Sequence, residues 1–128
     1  MACGKIIIMN NNILQIETTG YSGECGIYVY SRLRARRVVS VAELSKLVIP
    51  ECNKYNVKPP LFEILPHRRR LCGRYLIGRD TITLNLPPTV GTVYHELAHH
   101  IAWHLYHDRG HGWWFKWVLQ RIFTENEI

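Results

Sequence analysis

Residues 94–117 read YHELAHHIAWHLYHDRGHGWWFKW, and the reading of this stretch decides the reading of the rest. His95 and His99 stand one helical turn apart, with Glu96 after the first. Two histidines at i and i+4 with that glutamate are the zinc-ligand and general-base set of a metalloprotease helix. On a wheel of about 100° per residue, His99 falls about 40° from His95, so the rings lie side by side. Tyr94, Leu97, Ala98, Ile101 and Leu105 gather on a separate arc, which is the expected core face. His100, His104 and His107 lie on another flank. They are read as exposed or partner-facing polar residues rather than ligands.

A third imidazole follows the helix. Gly110 is expected to take the left-handed C′ conformation and end the helix over Asp108-Arg109-Gly110. His111 is then free to fold back over the pair, and Gly112 leaves room for its approach. Catalytic zinc takes three protein ligands, with the fourth position left to water. The expected set is His95, His99 and His111, holding one Zn2+ per chain. His104 is nearer in sequence but points away. Glu96 is expected to act as general base, taking a proton from the metal-activated water and passing it to the leaving amine. Tyr75 and Tyr106 are candidates for an oxyanion-stabilising group, although packing suits both better.

Outward from this stretch, the pattern alternates between strands and helices. Residues 5–9 and 13–18 flank three asparagines and predict a hairpin. Residues 25–30 predict a further strand. Ser40 and Glu43 form a capping-box pattern ahead of a helix whose stripe is Val41, Leu44, Leu47 and Val48. Pro50 is a point where that helix kinks, ends or runs on, and Pro59-Pro60 ends it. Residues 61–65 predict a strand. Residues 72–77 and 81–86 predict a hairpin turning at Gly78-Arg79-Asp80. Thr89 or Thr92 caps the motif helix, expected over 90–107. A last helix over 113–123 buries Phe115, Val118, Leu119 and Ile122, with a frayed tail beyond. Residues 1–39 are read as a β-rich extension with a basic connector, and 40–128 as the main unit. Together they make one compact domain, which 128 residues suit.

The hydrophobic content of 47% excludes a disordered chain. Net charge is +6. Arginines cluster twice, as Arg32, Arg34, Arg36 and Arg37, and as Arg68, Arg69 and Arg70. Guanidinium forks match phosphate oxygens, so these clusters are the candidate contacts to nucleic acid. Solvated connectors would look the same. Cys3, Cys25, Cys52 and Cys72 form no Cys-x-x-Cys pair. With no signal-peptide pattern and no membrane-length apolar run, the expectation is a cytoplasmic protein, with nucleoid or DNA association open, no membrane partner, and mostly reduced, buried thiols. The oligomeric state is open.

The 94–117 run resembles the active-site segment of the SprT-like (Spartan-type) zinc metalloproteases. That family pairs His-Glu-x-x-His with a later Gly-His-Gly-x-x-Phe/Trp-Lys, matched by His95, Glu96, His99, Gly110, His111, Gly112, Phe115 and Lys116. The hairpin CGRYLIGRDTITLNLP is also similar to the family's lead-in to the motif. The resemblance implies an α+β, minimal zincin-like fold, with a short antiparallel sheet packed on the motif helix, a C-terminal helix and an extra N-terminal β segment. It implies hydrolysis of protein or peptide substrates, including proteins associated with DNA. The alternative is a non-catalytic nucleic-acid-binding module with a structural zinc site. A three-histidine metal-dependent ribonuclease fits less well, because Glu96 suits a peptidase and His104 points away from the pair.

Overall fold

In chain order the computed structural model runs through strands β1 (Gly4–Met9) and β2 (Ile13–Glu17), helix α1 (Leu44–Tyr55), strands β3 (Leu61–Leu65), β4 (Gly73–Leu76) and β5 (Thr81–Asn85), and helices α2 (Val90–Tyr106) and α3 (Trp113–Glu125). The structure describes residues 4–9, 13–17, 34–66 and 72–128. The strand expected at 25–30, together with Arg32 and Arg68–Arg70, lies outside those residues.

The sheet order is β2-β1-β3-β5-β4. Three neighbouring pairs are antiparallel, but β3 and β5 are parallel, with Leu61 opposite Thr81 and Leu65 opposite Asn85. The antiparallel expectation therefore fails at the centre, and the sheet is mixed. The 72–86 hairpin holds, and its second arm turns inward to lie between β3 and β4. Every residue of β5 is buried. Ile82 and Leu84 join the helical core, and the period of two sends Thr81, Thr83 and Asn85 to the other face.

Helix α1 begins after the capping box, where the Glu43 carboxylate accepts the Ser40 N–H at 3.3 Å. It runs through Pro50, which sits exposed on its outer side. An interior proline costs a helix about 3 kcal/mol. Burial of Leu44, Val48 and Cys52 on the opposite stripe is worth more, at about 1.5–3 kcal/mol for each large apolar side chain. The left-handed Asn56 then ends the helix.

Helix α2 is capped by Thr89, whose hydroxyl accepts the Thr92 N–H at 3.2 Å. It ends at Tyr106, within one residue of the expected end, but not through a glycine. His107 takes the left-handed conformation, with φ 54° and ψ 30°. No described glycine has positive φ, so Gly110 plays no such part. The tail is not frayed either. Arg34 donates to the Glu127 carbonyl at 2.8 Å, Asn126 Nδ2 donates to Glu51 at 3.2 Å, and Ile128 packs on the core. Cys52 is a free buried thiol, as expected, whereas Cys72 is disulfide-bonded, which corrects the expectation of reduced thiols there. Among the described residues, no helix is long and apolar enough to cross a membrane.

Candidate metal centre

Helix α2 is wedged between the sheet and the other helices, and every residue from Val90 to Ala98 is buried. That burial fixes the rotation of the helix. Leu97, Ala98 and Ile101 face the core, and His95 and His99 share one edge. Their ring centroids are 5.0 Å apart. His111 closes over them, with centroids 5.1 Å from His95 and 4.8 Å from His99. One ligand atom from each of the three lies within 4.8 Å of the others.

Nitrogens Nε2 of His95 and His111 face each other at 3.2 Å. Two tetrahedral ligands on bonds of about 2.0–2.1 Å would stand about 3.3 Å apart, so the donor set fits a small tetrahedral cation. Protonation fits as well. Burial, and then the neighbouring His99 and His111, push His95 down to about 3. Burial, and then His111, bring His99 down to about 4. Both rings are therefore neutral at pH 7, which is the ligand form.

Phe115 is the floor of this group. It is fully buried on the first turn of α3, stacks on His99 at 4.2 Å and 26°, and meets His95 edge-on at 5.0 Å. Asp108 secures the loop that carries His111. Its carboxylate accepts the Gly110 N–H at 3.2 Å and the Phe115 N–H at 3.1 Å. Gly112 permits this, since a Cβ there would lie 2.6 Å from Asp108 Oδ2. The room expected at Gly112 is therefore used by a carboxylate, not by the imidazole.

Glu96 is 3% exposed, with its Oε2 3.8 Å from His95 Nε2. It shares a cleft of about 500 Å³ with His99, His111, Arg74, Tyr75, Leu76, Ile77, Arg109 and Gly110. Gly73 lets β4 come this close to α2. A Cβ there would meet Thr83 O at 2.8 Å, Thr92 Cγ2 at 3.0 Å and Glu96 Cγ at 3.3 Å.

The flank read as exposed is partly buried. His100 is 1% exposed. Its Nε2 lies 2.7 Å from Lys58 O and its Nδ1 3.0 Å from the Tyr75 hydroxyl. His104 is exposed, as expected, and its Nε2 lies 2.7 Å from Asp80 Oδ1. Asp80, His100 and His104 form the second group, among the described residues, able to hold a metal ion. The Tyr75 ring lines the cleft, but its hydroxyl is committed to His100 and, at 3.0 Å, to Asp80. Tyr106 stacks flat on Trp114 at 3.7 Å, the packing role expected of it.

The described arginines of the basic connector, Arg34, Arg36 and Arg37, do not line the cleft. Arg37 pairs with Glu43 at 2.9 Å, Arg34 holds the tail, and Arg36 is exposed on the same short turn. Among the described residues the cleft's cations are Arg74 and Arg109, which sequence reasoning missed. The alternation of β4 gave no signal for Arg74, since with Gly73 beside α2 it sends Arg74 to the other face. Asp108 carried no signal beyond its place in a turn.

The chain matches no family model, no curated protein and no solved structure.

Proposed function

We propose that the protein is a zinc-dependent peptidase, with His95, His99 and His111 as ligands and Glu96 as general base. The observation that carries this reading is the buried Glu96 carboxylate, 3.8 Å from a ligand nitrogen and opening onto the same cleft as His99 and His111. When bound, zinc supplies a Lewis acid that polarises the scissile carbonyl and lowers the pKa of water. Glu96 takes the proton of the attacking water and delivers it to the leaving amine. Burial holds His95 and His99 neutral and oriented, and Asp108 secures the loop that carries His111.

Strand β4 supplies the substrate's track. Among the described residues it is an edge strand of the sheet, and four successive residues, Arg74 to Ile77, line the cleft. An extended peptide adds to such an edge through backbone hydrogen bonds. Arg74 and Arg109 favour substrates with carboxylates near the cut. The SprT-like resemblance supports the same chemistry and extends it to proteins associated with DNA. A structural zinc site is closed by a fourth protein ligand. The open cleft over these three donors favours the enzyme over the nucleic-acid-binding module.

Glu96→Gln is the direct test. Zinc content should stay at one equivalent at this site, while hydrolysis of an unfolded protein substrate falls about 10²–10⁴-fold. Undiminished cleavage by that variant would overturn the reading.

A further inference from the structure

Helix α2 carries a second i, i+4 histidine pair, on the flank away from the first. His100 and His104 have ring centroids 4.6 Å apart. Asp80 reaches them from the β4–β5 turn, where it holds the left-handed conformation. One ligand atom from each of the three lies within 4.8 Å of the others.

The hydrogen bonds of this group fix the tautomer of His100. Lys58 O is a carbonyl and only accepts, so the 2.7 Å contact requires His100 Nε2 to donate. Neutral His100 then presents a lone pair at Nδ1. The Asp80 carboxylate also only accepts. Between these two acceptors stands the Tyr75 hydroxyl, 3.0 Å from each, with one proton to give. His104 supplies its own N–H to Asp80 and none to His100. The three protons of the group match its three acceptors, with the Tyr75 proton shared between the His100 lone pair and Asp80, beside a ring that is 1% exposed.

The His100 arrangement is also the one a ligand needs. An imidazole that donates its far N–H to a backbone carbonyl has its tautomer and ring plane set for metal binding. We propose that His100 Nδ1, His104 Nε2 and Asp80 Oδ1 form a second metal site, taking a borderline divalent transition metal such as zinc, with the His104 proton moved to its Nδ1 so that Nε2 is free to bind. Two imidazoles and one carboxylate suit that class rather than magnesium or calcium, which take oxygen ligands. His104 and Asp80 are exposed at 35% and 51% of their side chains, so the site exchanges with solvent. It also adjoins the cleft through Tyr75, which contacts Asp80 and His100 with its hydroxyl and lines the cleft with its ring.

The test is Co2+ titration of the full chain, followed by visible absorption and calorimetry. Wild type should take two equivalents. His99→Ala/His111→Ala should keep one, whether or not the first site is catalytic. Adding His104→Ala to that background should weaken the remaining binding at least about 100-fold, beyond what loss of an outer hydrogen-bond partner costs. His104 is exposed, and circular dichroism should confirm an unchanged fold in each variant. No binding in the His99→Ala/His111→Ala protein overturns the proposal. So does binding there that His104→Ala leaves unchanged.

Discussion

Asp108 Oδ2 accepts the backbone N–H of Phe115 at 3.1 Å, so a residue just past the end of α2 caps the start of α3. His111 lies on the loop drawn closed by that bond. Asp108→Ala should cost about 1 kcal/mol of stability, as caps do. Its larger effect should fall on the metal, with zinc affinity lowered about 10–100-fold, as when outer partners of ligands are removed. Competition against a chromophoric chelator measures this. Unchanged affinity would show that the loop holds His111 without the carboxylate.

Three glycines offer an internal contrast. Gly73→Ala puts a Cβ 2.8 Å from the Thr83 carbonyl, a backbone atom in the buried strand β5. Overpacking of this kind costs about 1–3 kcal/mol. It also pushes on Glu96, so activity should drop with stability. Gly112→Ala strikes the Asp108 carboxylate and should resemble Asp108→Ala. Gly78→Ala meets nothing within 4 Å and should be near neutral. Urea denaturation of the three variants ranks them, and an equal ranking would contradict the packing described.

Acid should destabilise the metal-free protein early. Burial is the first cause holding His95 at about 3 and His99 and His100 at about 4, against an ordinary value of 6.5. Folded values below unfolded ones mean that the unfolded chain binds more protons between about pH 6.5 and 4. The stability is complete above that window and is lost as pH falls through it. Each ring contributes at most about 1.4 kcal/mol per pH unit. Thermal midpoints in chelator from pH 8 to 4.5 should decline below pH 6.5, and a flat profile would mean that these rings are not held neutral.

If peptides bind along β4, their backbone amides matter. Methylating those N–H groups on alternate residues of a good substrate removes hydrogen bonds worth about 1 kcal/mol each. KM should rise about fivefold for each bond lost, with kcat changed little. Arg109→Glu should raise KM for acidic peptides and lower it for basic ones. Equal cleavage of methylated and plain peptides would remove β4 from the binding path.

What could be read from the sequence was local. His95, Glu96 and His99 are tied by one helical turn, and the His111 loop lies within reach of that turn, so their convergence needed little beyond the helix period. The burial of His100 was not accessible in this way. A wheel gives a direction from the helix axis, but not what waits there, and Lys58 and Tyr75 arrive from 42 and 25 residues away. The parallel pairing of β3 with β5 was hidden for a similar reason, since alternation gives each strand two faces and no neighbour. The end of the helix was legible to within one residue, but the left-handed His107 was not, because glycine is the usual left-handed residue and Gly110 stood close enough to take the role.

The loop from Asp108 to Phe115 also sets an order of events on the ribosome. The chain made as far as Gly110 carries His95 and His99 of this group and not yet His111. His111 arrives next, and the bond that secures its loop needs Phe115, four residues later. Until the first turn of α3 has emerged and docked, the nascent chain has an incomplete cation cradle, and Glu96 has nothing to work beside. If the proposed peptidase reading holds, the activity cannot be assembled while the chain is still being threaded out.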